Sequence, residues 1–437
     1  MKVNIIGGGL AGCEASYQLL KRGIEVYLFD LKPNKQTEGH KNKNLAEIIC
    51  SNSFKSMSLD KCKGLLKEEL LRLDSLLLKT AYEVKVPAGG ALAVDRDLFA
   101  EKVTLKLKEF SNFHFISEEI ELIDTTVPTI IATGPLTTPK LIDSLKNLLD
   151  DGENDLYFFD AMSPIVSFDS LDKDKYFVQD RYQKGEDDYV DCPMTKEEYE
   201  IFYNELISAE IVQLKDFENK KVFEGCMPVE VMAKRGERAL LFGPLKPVGL
   251  IDPKTNKRPY AVVQLRKENN NGNLYNIVGF QTNLKFDEQK RVFSLIPALK
   301  NAEFIRFGQM HKNAYINAPK NLKQNYQLKK YPNIFIAGQL SGVEGYVESI
   351  SSGLYAGIGM YNYLMKKDEV IFPSFTVIGG LAYYITHSQE KKFQPMNANW
   401  GVILSNLSLQ NVKNKLELTN KSLEYIDKIK GEINGTT

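Results

Sequence analysis

The chain has 437 residues, 43% of them hydrophobic and 26% charged, with 56 basic and 56 acidic side chains. That length supports two or three domains around a sizeable core. The zero net charge argues against loose, charge-driven nucleic-acid binding, although a neutral total leaves room for a local basic patch. No apolar run reaches bilayer-spanning length. The five cysteines form no Cys-x-x-Cys pair and the four histidines show no ligand spacing, which predicts a reducing, cytoplasmic setting and argues against a metal site.

The first element comes almost at Met1, which leaves no room for a signal or transit peptide. An apolar run (Val3, Ile5, Ile6) leads into Gly7-Gly8-Gly9-Leu10-Ala11-Gly12, then a helical stretch to about Arg22, a second apolar run Ile24–Phe29 and the acid Asp30. Strand, glycine turn, helix, strand and acid in about 30 residues form the first unit of a dinucleotide-binding fold. Gly7 allows the tight turn, Gly9 clears space for a pyrophosphate, and Gly12 lets helix and strand pack closely. Asp30 is placed to accept hydrogen bonds from a ribose diol. The motif alone does not say which dinucleotide is held.

A polar loop, Lys32–Asn44, comes next, then a helix-like segment from about Gly64 to Leu78 and an extended VPAGGALAVDRD (Val86–Asp97). An amphipathic stretch spans Leu98–Phe110. Thr129–Pro135 (TIIATGP) reads as a buried strand entering a turn that contains Thr133 and Gly134. From about Tyr157 to Met310, short alternating runs punctuated by Pro and Gly predict a mixed, largely antiparallel insert, with a helix near Lys196–Leu206. From Asn333 the pattern is again nucleotide-like: strand Ile334–Ala337, then Gly338, Gln339, Gly342 and Val343 in a glycine-dotted loop, then a helix of small residues, Ser349–Met360. The resulting organisation is a discontinuous nucleotide domain, 1–150 and 330–437, around an inserted domain, 151–329. The tail, Leu409–Asn434, reads as a surface helix.

Candidate chemistry has competing readings. Cys50 (EIICSNSF) and Cys226 (FEGCMPVE) both lie where a turn exposes sulfur, whereas a lone cysteine is by default a small buried hydrophobe. Asp95 and Arg96 read as an ion pair capping the next helix. His311 is a proton carrier or an ordinary polar histidine. Tyr346 either contacts a ligand or packs in the core. Lys234, Arg235 and Arg238 either hold phosphate or form a solvated charged turn.

Together, IIGGGLAGCEAS, CSNSF, GLLKEEL, VPAGGALAVDRD, ATGPL, FEGCMPVEVMAKRG, GFQTNLKFDEQKRVF, IRFGQMHKNAYI and FIAGQLSGVEGYVESISSGL resemble the bacterial folate- and FAD-dependent tRNA (uracil-5-)-methyltransferases over about residues 1–401. The resemblance implies an α/β fold: a Rossmann-like FAD-binding domain of the glucose-inhibited division protein A type with an inserted mixed α+β domain. It implies FAD on Gly7, Gly8, Gly9, Leu10, Ala11, Gly12, Asp30, Thr133, Gly134, Gly338, Gln339, Gly342 and Val343. Methylenetetrahydrofolate is the implied carbon donor, NADH or NADPH the implied reductant, and RNA the implied partner. Of the two matched cysteines, Cys226 is favoured as the nucleophile on uracil. Cys50 is favoured as its partner at the flavin-carried carbon or in proton transfer, and the opposite assignment stays open. Two departures, TEGHKN after Asp30 and Lys55 where arginine is common, bear on the target. The tRNA T-loop is favoured, a large-subunit ribosomal RNA uridine is the alternative, and a small-molecule FAD oxidoreductase is the rival of another class.

Overall fold

A computed structural model describes residues 1–35, 42–149, 157–161, 163–183, 188–212, 227–268, 272–308, 310–389, 393–407 and 415–434. The first sheet has five parallel strands in the order Ile334–Ile336, Thr129–Ile131, Lys2–Ile6, Glu25–Asp30, Phe113–Ser117. Ile5 sits opposite both Leu28 and Ile130. Helices cover this sheet, and its strands bury Val3, Ile5, Val26, Leu28, Ile130 and Phe335. Helix Leu10–Leu20, from the first βαβ unit, lies against helix Tyr346–Leu364, from the far end of the chain.

A second, antiparallel sheet has six strands in the order Phe177–Val178, Tyr189–Met194, Ala261–Lys267, Leu274–Ile277, Ile165–Ser167, Phe304–Arg306. Helix Lys196–Ser208 begins at a capping box between Thr195 and Glu198 and buries Tyr199, Phe202 and Leu206 against it. This sheet has its own apolar core, from Val166 to Ala302, whereas the core around the parallel sheet draws on residues 3–148 and 314–433. A small antiparallel sheet, Ser53–Ser56, Ala91–Val94 and Lys85–Val86, carries the segment that follows Cys50.

The helix expected from Gly64 to Leu78 is two helices, Cys62–Arg72 and Leu76–Glu83. Asp74 takes a left-handed φ of 66° between them, and the Ser75 side chain accepts the Leu78 N–H to start the second. The apolar periodicity continues across this break, which hides it. The tail forms helix Lys415–Asn434, which lays Leu423, Ile426, Ile429 and Ile433 on the main core.

Glu69 joins the tail to that core. Its buried carboxylate accepts the Val377 and Ile378 N–H groups at 2.8 and 2.9 Å, at the start of helix Val377–His387, and also accepts the Ser422 hydroxyl of the tail helix. Burial, only partly offset by these bonds, lifts this carboxyl from its ordinary 4.5 to about 7. The folded chain therefore holds a proton between about pH 4.5 and 7 that the unfolded chain has released. The group's stabilisation is complete below 4.5 and is lost as pH rises through 7. In urea unfolding at pH 5 and pH 8, Glu69→Gln is expected to flatten the fall in stability by on the order of 1–3 kcal/mol. An unchanged slope would contradict this.

Candidate functional site at the meeting of two glycine turns

The site begins where strand Lys2–Ile6 ends. Gly7 has φ 104°, and a Cβ there would overlap the Ala132–Thr133 backbone. A Cβ on Gly12 would overlap the Gly7 carbonyl. Gly9 differs: its backbone is ordinary extended (φ −77°), and a Cβ there would meet nothing within 4 Å. Its missing side chain therefore leaves free space at the start of helix Leu10–Leu20, where no side chain caps the first turn. Asp30, at the end of strand Glu25–Asp30, accepts the Gly8 N–H on Oδ2 at 2.6 Å and the Lys32 N–H on Oδ1 at 2.9 Å. These bonds fix the carboxylate and leave a second lone pair on each oxygen for a ligand hydroxyl.

The second glycine segment faces the first. Gly338 has φ 73°, donates its N–H to Ser352 Oγ at 2.8 Å, and lies so close to helix Leu10–Leu20 that a Cβ would come 3.0 Å from Ala11 Cβ. Between the two segments is a cavity with about 930 Å³ of open space. It is lined by Gly7, Gly9, Leu10, Ala11, Asp30, Thr133, Gly134, Gly338 and Gln339, together with Cys50 and Tyr346. Gly8, Gly12, Gly342 and Val343 do not line it: Gly8 holds Asp30, Gly12 packs under Gly7, Gly342 abuts Phe393, and Val343 is buried beside Met396. A neighbouring hollow past Asp30, lined by Lys35, Glu119, Thr137 and Thr138, extends the cavity. Two glycine turns, an uncapped helix start and a fixed carboxylate around an elongated space fit a dinucleotide such as FAD.

Cys50 is partly exposed on this cavity. Its loop has no regular secondary structure, and side chains hold its peptide groups instead. The Tyr346 hydroxyl accepts the Cys50 and Ser51 N–H groups at 2.8 and 3.0 Å. Arg96 donates to the Ile48 and Ile49 carbonyls at 2.9 and 2.8 Å, and Arg306 to those of Ile49 and Cys50 at 3.2 and 3.4 Å. The Asn52 amide donates to Val94 and Lys267 carbonyls and accepts from Arg266 Nε. Asp95 caps its helix through Leu98 N–H as expected, but Arg96 pairs with Glu268 rather than with Asp95. Arg306, Glu268 and Asn52 carry no signal in the sequence, because their partners lie more than 40 positions away and no local motif marks them.

Cys13, Cys62 and Cys192 are buried, and burial pushes each thiol well up, away from nucleophilic use. Cys226, the His40 loop and the side chain of His311 lie outside the described residues. Lys234, Arg235 and Arg238 are exposed around the short helix Ala239–Phe242.

A family profile described as "Glucose inhibited division protein A" matches residues 2–368. The chain is 55% identical over 403 residues to the methylenetetrahydrofolate--tRNA-(uracil-5-)-methyltransferase TrmFO of Acetivibrio thermocellus, covering 92% of each chain. It is 53% identical over 434 residues to the protein of that name from Lactobacillus gasseri, covering 98% of each. The chain belongs to this methyltransferase family. Among solved structures, Aquifex aeolicus GidA superposes with a TM-score of 0.72 at 16% identity, covering 100% of this chain and 74% of that one, which establishes the shared fold. In this chain Cys50 lies on the cavity between the two glycine turns.

The two glycines of the first turn should fail differently. Gly9→Val is expected to unfold like the parent protein yet purify with little or no flavin, because only ligand space is filled. Gly12→Ala is expected to lose about 1–3 kcal/mol in urea unfolding through overpacking. A flavin-replete Gly9→Val protein would show that the cavity holds its ligand elsewhere.

Proposed function

We propose that the chain is an FAD-dependent enzyme that transfers the one-carbon unit of methylenetetrahydrofolate to carbon 5 of a uridine in tRNA. Identity above 50% with methyltransferases of that name over nearly the whole chain carries this reading. Cys50 on the dinucleotide cavity supports it. A small-molecule FAD oxidoreductase would leave the paired CSNSF and FEGCMPVE motifs without purpose.

In this reading the discontinuous part, 1–150 and 330–437, binds the cofactor, and the insert, 151–329, presents Cys226 to the RNA. Gly7, Gly9, Leu10, Ala11, Thr133, Gly134, Gly338 and Gln339 surround the cofactor, Asp30 holds a ribose, and Gly8, Gly12, Gly342 and Val343 shape the turns. Bound and reduced, FAD supplies the reducing equivalents that complete the methyl group, and NADH or NADPH restores them. Carbon 5 of uracil is not nucleophilic by itself. The Cys226 thiolate adds at carbon 6, which gives an enolate nucleophilic at carbon 5, and leaves again when the carbon 5 proton has gone. The uridine must leave its stack to expose a ring face to sulfur. Cys50 attends the cofactor side, where it takes or gives a proton.

The T-loop is the proposed tRNA target. Lys55 stands where arginine is common, the departure that keeps a large-subunit ribosomal RNA uridine as the alternative target. It is exposed at φ 65° just past the Cys50 loop, and a lysine lacks arginine's two-pronged grip on phosphate.

The test incubates reduced protein and methylenetetrahydrofolate separately with unmodified tRNA and ribosomal RNA, and maps 5-methyluridine by mass spectrometry. Methyl on tRNA is expected. Cys226→Ala should retain flavin and lose methylation by at least roughly 10³-fold. If neither RNA gains methyl, the proposed function fails.

A further inference from the structure

The clamp on the Cys50 loop carries more charge than holding a loop requires. Arg96 begins helix Arg96–Lys108, and Arg306 ends strand Phe304–Arg306 of the insert sheet. Their guanidinium groups converge on three successive carbonyls, those of Ile48, Ile49 and Cys50. Neutral amides can hold carbonyls as well, as the Asn52 amide holds those of Val94 and Lys267. Two guanidinium charges in a largely buried place are costly unless anions compensate them. One does: Glu268, 4% exposed, pairs with Arg96. Arg306 Nε, Arg96 Nε and Nη2 and both Glu268 carboxylate oxygens have no hydrogen-bond partner among the described residues, so Arg96 and Glu268 meet as an ion pair only. Arg96, Arg306 and Glu268 together carry two positive charges and one negative.

The surrounding groups narrow what balances the excess. Arg266, buried, donates its Nε to Asn52 and adds a further positive charge, and Asp95, which caps the Arg96 helix through the Leu98 N–H, adds a carboxylate. Lys32 and Glu47, on the same cavity, pair with each other at 3.4 Å. Asp30 is bound to the Gly8 and Lys32 N–H groups. Tyr346 is beside Cys50, but burial holds its phenol well above the ordinary range, so it stays neutral. Burial and the Arg96 charge pull Arg306 down to about 10, so it is still a cation at neutral pH, while Glu268 and Cys50 pull the other way. Among the described residues, the group beside Arg306 that can still become an anion is the Cys50 thiol, on the residue whose own carbonyl Arg306 binds.

We propose that Arg96 and Arg306 are positioning residues that fix the Cys50 loop and hold its sulfur as a thiolate at neutral pH. The thiol proton goes to water, and Glu268 offsets part of the excess positive charge. Because Arg306 and Glu268 belong to the insert and Arg96 to the nucleotide-binding part, the sulfur is primed only when the two are docked. The inference rests on Cys50 belonging to the proposed methyl-transfer site.

The test is the pH profile of Cys50 alkylation by iodoacetamide in the full-length flavin-loaded protein, read cysteine by cysteine by mass spectrometry. The thiolate displaces iodide, so the rate follows the thiolate fraction. Arg306→Gln is expected to raise the half-maximal pH by about one unit and slow alkylation at pH 7 roughly two- to threefold, and Arg306→Lys to stay within a few tenths of a unit of the parent. Glu268→Gln, which removes the compensating anion, is expected to lower the half-maximal pH. Loss of loop structure alone would not give shifts of opposite sign. An Arg306→Gln profile identical to the parent's, or both variants moving the same way, overturns the proposal. If Arg306→Gln does not accumulate folded, Glu268→Gln decides: a fall supports the proposal, and no change or a rise overturns it. The assay contains no RNA. Midpoints that move as expected while RNA gains no methyl would sink the function and leave the clamp standing.

Discussion

The molecule depends on one close approach, that of helix Leu10–Leu20 to helix Tyr346–Leu364. A Cβ at Gly353 would overlap the Ala11 carbonyl, and one at Gly357 would crowd Ala15 and Gln18. Small residues at these positions let the two backbones touch, so dispersion contacts replace the space side chains would need. The consequence is positional. Two glycine turns from opposite ends of the chain come to face one cavity, each at the start of one of these helices. A larger residue at the crossing would separate them even with every ligand-facing group intact.

That crossing also explains how the chain tolerates an insertion. Strands Thr129–Ile131 and Ile334–Ile336 are adjacent in the parallel sheet, with Ile130 opposite Phe335. The chain leaves the sheet and returns beside its point of departure, so the material between builds a separate core at little cost to the first. Proximity at the base does not by itself fix what the insert contributes to the cavity. The Cys50 loop does. Asn52, Arg96, Arg266, Glu268 and Arg306 join the small sheet, the first helix after it and two strands of the insert at one point.

What can be read from the sequence follows the range of the interactions. The glycine turn, the strands about Ile5 and Leu28, and the helix near Lys196 rest on backbone rules within a few residues, and the structure has them where expected. The break at Asp74 is hidden because apolar periodicity runs through it, and only a left-handed residue and a serine cap mark it. Arg96 is visible in the sequence, but its neighbour Asp95 suggests itself as the partner, whereas Glu268 comes from a distant strand end. Arg306 is not visible at all: an arginine at the end of a short strand is ordinary until its carbonyl partners are known. Cys50 and Cys226 stand out through family resemblance. Their composition and spacing leave the buried-hydrophobe reading open.

A reactive group on a loop is mobile unless something fixes it, and mobility costs rate when the reacting atoms must meet within a fraction of an ångström. A strand or helix would fix Cys50, but regular structure would also direct its peptide groups into a ladder and bury the sulfur among neighbours. Side-chain donors and acceptors avoid this. They satisfy the carbonyls at 48, 49 and 50 and, through Tyr346, the N–H groups at 50 and 51, while the sulfur keeps its place on the cavity. Since these side chains come from two helices of the nucleotide-binding part and one strand of the insert sheet, the loop is rigid only in the assembled molecule. The cofactor cavity and the insert are then one site: the nucleotide-binding part alone has the cavity but lacks half of what holds Cys50 in it.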